Sequence, residues 1–252
     1  MSFSIEGKTA IVTGGANGVG CAIGRHFADQ GANVMFVDMD EDGLVNELGA
    51  AKDEGNVRYF AGDLREKLTM ANLLSATIDH FDQVDILVNA CRQVMVTDPL
   101  GVDDDTTETM LQQNLLNSLR LSQLVARRMI KQAAGNVESQ IGSIINLSSI
   151  AARRAHPDLM AYSIATAASD QMTRSLAVAL APHKIRVNAV AFGSVMSASL
   201  QETLKENAEF RGDSEDHTPL QRIASPNELA AAVQYLASDW SGFMTGQIMT
   251  WD

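Results

Sequence analysis

The chain has 252 residues, 46% of them hydrophobic and 20% charged, a size and balance that suit one α/β domain with a substantial core. Its net charge of −12 argues against nucleic acid or an anionic membrane surface as a partner. No apolar run approaches the roughly twenty residues that span a bilayer, and the N-terminus lacks a basic-then-apolar signal character. Five scattered histidines show no metal-ligand spacing, so no metal site is expected. Two cysteines, Cys21 and Cys91, suggest reduced thiols in a cytoplasmic setting rather than a disulfide framework.

In chain order, Lys8 to Val12 reads as a buried strand and Cys21 to Gln30 as an amphipathic helix. Between them lies Thr13-Gly14-Gly15-Ala16-Asn17-Gly18-Val19-Gly20. A glycine-rich turn there lets the backbone approach a phosphate closely and aims the free amides of the helix start at it. The next strand, Val34 to Val37, ends on Asp38, whose carboxylate suits both ribose hydroxyls of an adenosine and repels a 2′-phosphate. Dinucleotide binding, NAD(H) rather than NADP(H), is the expectation from the first forty residues.

Val57–Ala61, Ile86–Asn89, Ile141–Leu147 and Ile185–Val190 read as further strands, alternating with helical patterns such as Asp105 to Gln132. The alternation predicts a Rossmann-type doubly wound parallel sheet of about seven strands in a single domain, 1–252. Asn136 to Gln140 reads as a polar surface loop. Ser194 to Pro219 is the least regular stretch, polar and rich in acidic residues, and Ser225-Pro226-Asn227-Glu228 opens a helix with a capping box.

These motifs resemble the short-chain dehydrogenase/reductase family, whose glycine pattern is Thr-Gly-x-x-x-Gly-x-Gly, and the resemblance covers nearly the whole chain. It implies hydride transfer between a nicotinamide and a carbonyl or alcohol carbon of a small-molecule substrate. In that family a tyrosine is the general acid or base, a serine binds the substrate oxygen, and an asparagine organises a water behind a lysine four residues after the tyrosine. The matching positions here are Tyr162, Ser149 (thirteen residues before Tyr162) and Asn114, while the lysine position holds Thr166. A lost lysine removes a cation that favours the phenolate, although Thr166 can still donate to a ribose hydroxyl.

The resemblance further implies that Gly14, Asn17, Gly18, Val19, Gly20 and Asp38 hold the cofactor. Asp63 and Leu64 would lie at the adenine, and Asn89, Ala90, Arg92, Tyr162, Gly193 and Val195 along the rest of the dinucleotide. Arg92 stands where the family has a glycine, and Phe192 where it usually has a proline beside the nicotinamide. Thr245 to Asp252 stops where the family usually continues with two glycines. Arg153 and Arg154 fall where relatives line the substrate pocket, and 194–219 is where relatives carry a mobile lid. The resemblance also implies a homotetramer, with interfaces on the helices from Asp105 and Asp158 and on the last strand near Met249.

Two functions are compatible with this reading. One is a working NAD(H)-dependent oxidoreductase with an atypical active site. The other is a non-catalytic NAD-binding protein, a sensor or a structural subunit. Arg92 bears on both, because its guanidinium either restores the missing charge or occupies the nicotinamide pocket.

Overall fold

A computed structural model of the chain describes residues 3–49, 55–134, 139–196 and 218–252. The elements are β1 (Thr9–Thr13), α1 (Gly18–Asp29), β2 (Asn33–Asp38), α2 (Glu41–Leu48), β3 (Val57–Ala61), α3 (Lys67–Phe81), β4 (Ile86–Asn89) and α4 (Thr106–Leu111). A π-helical turn over Gln112–Leu116 leads into α5 (Asn117–Gln132), then β5 (Gly142–Ser149), α6 (Met160–Leu180), β6 (Ile185–Phe192), α7 (Pro226–Ala237) and β7 (Ile248–Trp251).

The seven strands form one sheet in the order β3-β2-β1-β4-β5-β6-β7, and every pairing is parallel. Side chains alternate across the sheet with the two-residue period of a strand. Ala10, Val12, Val34, Phe36, Ile86 and Val88 join a core with α1 and α7 on one face. Ile11, Met35, Val37, Leu87 and Ile144 join a second core with α3, α5 and α6 on the other. Strands buried on both faces need continuous apolar runs, which is why β1, β4, β5 and β6 are buried along their whole length.

The chain runs outward from β1 to β3 and then returns to place β4 on the other side of β1. The two halves of the sheet therefore part at the carboxyl ends of β1 and β4, the crevice where open α/β sheets bind ligands. Thr13 closes its base. Its Oγ1 accepts from the amides of Ala90 and Cys91, each at 3.0 Å.

Three sequence expectations are adjusted. The pattern from Asp105 to Gln132 is not one continuous α-helix, because the π turn interrupts it at Asn114. Strands β5 and β6 run on to Ser149 and Phe192, since those two residues pair with each other, and Phe192 pairs onward with Trp251. Most of the expected lid at 194–219 and most of the loop at 136–140 fall outside the described residues.

Candidate functional site

The glycine turn follows β1 directly. Gly14 has φ of +70°, and a Cβ on it would lie 3.0 Å from the Ala90 carbonyl oxygen and the Cys91 amide. Only glycine meets both conditions without strain. At Gly20 a Cβ would overlap the Gly14 carbonyl, so the helix start and the turn pack backbone to backbone. In α1 the first intrahelical bond is donated by Cys21 to the Asn17 carbonyl at 3.2 Å. The amides of Gly18, Val19 and Gly20 precede it and carry the positive end of the helix dipole. The backbone present therefore fits a diphosphate.

At the end of β2, Asp38 Oδ2 accepts from the Ala16 amide at 3.1 Å and Oδ1 from the Asp40 amide at 3.2 Å. Beyond β3, the Asp63 carboxylate is bound by the Arg65 side chain, which holds it below the usual carboxylate range. Leu64 lines a small recess with Thr13, Asn89, Cys91 and Asn117. The Cys91 thiol is pushed up to about 11, first by desolvation and then by the negative charges of Asp38 and Asp63. The carboxylates of Asp38 and Asp63 thus both act on the thiol at this end of the crevice.

Asn89 belongs to a buried polar chain. Its Nδ2 donates to Asn146 Oδ1 at 2.8 Å and to Ser122 Oγ at 3.0 Å, and Asn146 Nδ2 donates onward to Thr173 Oγ1 at 2.8 Å. The side chain of Asn89 is thereby committed to tying β4 to β5 and α5.

The carboxyl ends of β4, β5 and β6 converge on Arg92. Its Nη1 donates to Tyr162 Oη at 2.9 Å and to the Ser148 carbonyl at 3.4 Å. The guanidinium carbon stands 4.1 Å from the centroid of the Phe192 ring and 6.0 Å from that of Tyr162. Tyr162 itself is buried against Met110, Ala161 and Ala165. Asn114 sits in the π turn and grips the next residue along from Arg92: its Oδ1 accepts from the Gln93 amide and its Nδ2 donates to the Gln93 carbonyl, both at 2.8 Å. π turns recur at functional sites because they redirect one side chain out of the helical register, and here that side chain is Asn114.

The two serines at the end of β5 have different surroundings. Ser148 is fully buried and donates to Asp170 Oδ1 at 2.6 Å. Ser149 Oγ accepts from the Ala151 amide at 3.2 Å, capping the short helical turn that follows. Thr166 does not offer its hydroxyl to the crevice. Its Oγ1 donates back to the carbonyls of Tyr162 at 2.9 Å and Ser163 at 3.1 Å, the common fate of a threonine inside a helix.

Gly193 lies against the Asp252 carboxylate, and Val195 forms a parallel bridge to Ala224. The arginines at 153 and 154 are turned to the last strand: Arg153 Nη1 donates to Thr250 Oγ1 at 2.5 Å, and Arg154 pairs with Asp252 at 3.1 Å. The Arg92–Tyr162 contact, the Asn114–Gln93 clamp and the Ser148–Asp170 pair were not legible in advance. The only signal for the first was that a glycine and a lysine were missing together. No helix among the described residues is long and apolar enough to cross a membrane.

Known proteins align with this chain over its full extent. A family model described as enoyl-(acyl carrier protein) reductase matches residues 14–252. An uncharacterised oxidoreductase of Mycobacterium tuberculosis is 32% identical over 99% of this chain and 92% of its own length. A 2,3-dihydroxy-2,3-dihydro-p-cumate dehydrogenase of Pseudomonas putida is 31% identical over 99% of this chain and 94% of its own. Among solved structures, a short-chain type dehydrogenase/reductase from Mycobacterium marinum superposes with a TM-score of 0.87 at 28% identity, covering 99% of this chain and 96% of that one. With a doubly wound sheet, a glycine turn at its switch point and oxidoreductase relatives along its whole length, the chain belongs to the short-chain dehydrogenase/reductase family.

Proposed function

We propose that the protein is an NAD(H)-dependent oxidoreductase that interconverts a small carbonyl compound and its alcohol through an atypical active site. The dinucleotide would rest its diphosphate on the turn Gly14 to Gly20 and its adenosine ribose on Asp38, with Leu64 and the Asp63 backbone at the adenine. The remaining contacts would come from Ala90, the Asn89 backbone, Gly193 and Val195. A bound nicotinamide supplies or accepts the hydride. Tyr162 would pass its Oη proton to the substrate oxygen in reduction and take it back in oxidation. Ser149 would orient that oxygen, and Asn114 would fix the strand end that carries Arg92. The observation that carries this reading is the burial of Tyr162 beside a cation at the carboxyl ends of β4, β5 and β6.

The test is calorimetric titration with NADH and NADPH, followed by Tyr162→Phe in a panel of carbonyl and alcohol substrates. Tight NADH binding with turnover that falls by about a hundredfold or more in Tyr162→Phe supports the proposal. Absence of dinucleotide binding overturns it.

A second reading, a non-catalytic NAD-binding protein, is favoured by one observation. The Arg92 guanidinium lies 4.1 Å over Phe192, where the family resemblance sets the nicotinamide ring. On that reading NADH and ADP-ribose bind equally well and no substrate turns over.

The proposed assembly is a homotetramer in the cytoplasm. One supporting surface is the hollow of about 450 Å³ between α3, α5 and α6, lined by Leu124, Ile130, Leu176 and Leu180 with Arg120 and Arg127. Another lies beside β7, where Phe243 is fully exposed. A monodisperse monomer at micromolar concentration in analytical ultracentrifugation would remove the assembly claim.

A further inference from the structure

We propose that Arg92 is a positioning residue that supplies Tyr162 with the positive charge absent at Thr166, and that Thr166, Arg92 and Phe192 form one compensating set. The inference rests on the oxidoreductase reading above. Among the described residues Arg92 is the one hydrogen-bond donor to Tyr162 Oη, at 2.9 Å. Thr166 is spent on its own helix and carries no charge.

Four contacts hold the arginine for this task. The amide before it, of Cys91, is bound to Thr13, and the amide after it, of Gln93, is bound to Asn114. The guanidinium rests on the Phe192 ring at 4.1 Å, a cation–π contact that fully buried Phe192 offers and a proline does not. Its Nη1 also donates to the Ser148 carbonyl at 3.4 Å, a second anchor for the group that meets Tyr162. A guanidinium stays protonated throughout the working pH range, so the charge beside the phenol is permanent. A nearby cation favours the charged form of an acid, and the phenolate left when Tyr162 gives up its proton is the species Arg92 would stabilise. The proton goes from Tyr162 Oη to the substrate oxygen, and no proton leaves Arg92.

Ultraviolet titration of the ligand-free protein reads this without a substrate. The chain has three tyrosines, and the difference between wild type and Tyr162→Phe isolates one of them. In Arg92→Gln that phenol is expected to ionise at a pH higher by about one unit or more. Arg92→Lys is expected to retain part of the effect. The double variant Thr166→Lys with Arg92→Gly, which returns the charge one helical turn from Tyr162, is expected to bring the ionisation back toward wild type. Circular dichroism confirms folding, and Arg92→Lys keeps the test open where Arg92→Gln fails to fold. Unchanged ionisation in Arg92→Gln overturns the proposal. So does a tenfold or greater gain in NADH affinity in Arg92→Gly with ionisation unchanged, which would make the arginine a plug. Failure of wild type to bind NADH counts against the oxidoreductase reading and leaves the titration result on Arg92 standing.

Discussion

Asp38 and Ala16 are joined across the mouth of the crevice: the carboxylate at the end of β2 accepts the backbone amide of the glycine turn at 3.1 Å. One lone pair thus locks the turn while the other oxygen faces the Asp40 amide, so charge and shape at the proposed ribose site depend on the same side chain. We expect NADH to bind at least tenfold tighter than NADPH, about 1.4 kcal/mol, and Asp38→Asn to shrink that ratio toward unity. Isothermal titration calorimetry checks both, and equal affinities in wild type contradict the role given to Asp38.

Gly20 carries a stricter constraint than its neighbours, because a Cβ there would overlap the Gly14 carbonyl. Gly20→Ala must push α1 away from the turn. The expected loss is on the order of 1–3 kcal/mol of stability together with the dinucleotide site. Urea unfolding with a parallel NADH titration reads both, and a variant that keeps wild-type affinity contradicts the proposed cradle.

The start of α7 offers a prediction independent of ligand. Ser225 Oγ accepts from the Glu228 amide while Glu228 reaches back to the Ser225 amide at 2.9 Å, and Arg222 pairs with the same carboxylate at 2.7 Å. Glu228 is lowered to about 2, chiefly by Arg222 and then by Ser225. Ser225→Ala should cost about 1 kcal/mol, a fall in Tm of about 2–4 °C. Calorimetry showing no change would mean that the cap is made but not felt.

Fold and site were legible to different depths. The alternation of apolar runs and the capping box at Ser225 are local signals, so the strands themselves and the start of α7 follow from patterns a few residues long. The ends of β5 and β6 are settled instead by pairing between Ser149, Phe192 and Trp251, residues far apart in the chain. The contact of Arg92 with Tyr162 spans seventy positions, and nothing near either residue announces it. Thr166 shows the remaining gap: its residue type was plain, but its rotamer, turned to the helix, is decided by the surrounding packing.

Asp170 gives a pH dependence whose sign can be worked out. Burial raises its carboxyl above the usual range, against the Ser148 hydrogen bond and the charges of Arg153 and Arg174. The folded chain then holds a proton that the unfolded chain has released, so stability falls as pH rises from the ordinary carboxylate value of about 3.9 toward the raised one. Asp170→Asn keeps an acceptor for Ser148 and removes that slope. Its stability relative to wild type should climb as pH rises above the ordinary carboxylate value of about 3.9 and level off once pH has passed the raised value. Denaturant midpoints that differ by a constant amount across that range contradict the assignment.

The π turn at Gln112–Leu116 has a geometric consequence for Tyr162. Such a turn holds one more residue than the α-helix around it, so it acts as a phase shift between α4 and α5. Removing a single residue there would let 106–132 wind without interruption, but it would rotate α4 by about 100° relative to α5. Thr106 and Met110, now buried, would swing off the face that packs on Ala161 and Tyr162. The surroundings of the tyrosine are therefore indexed to the length of a helix to which it does not belong.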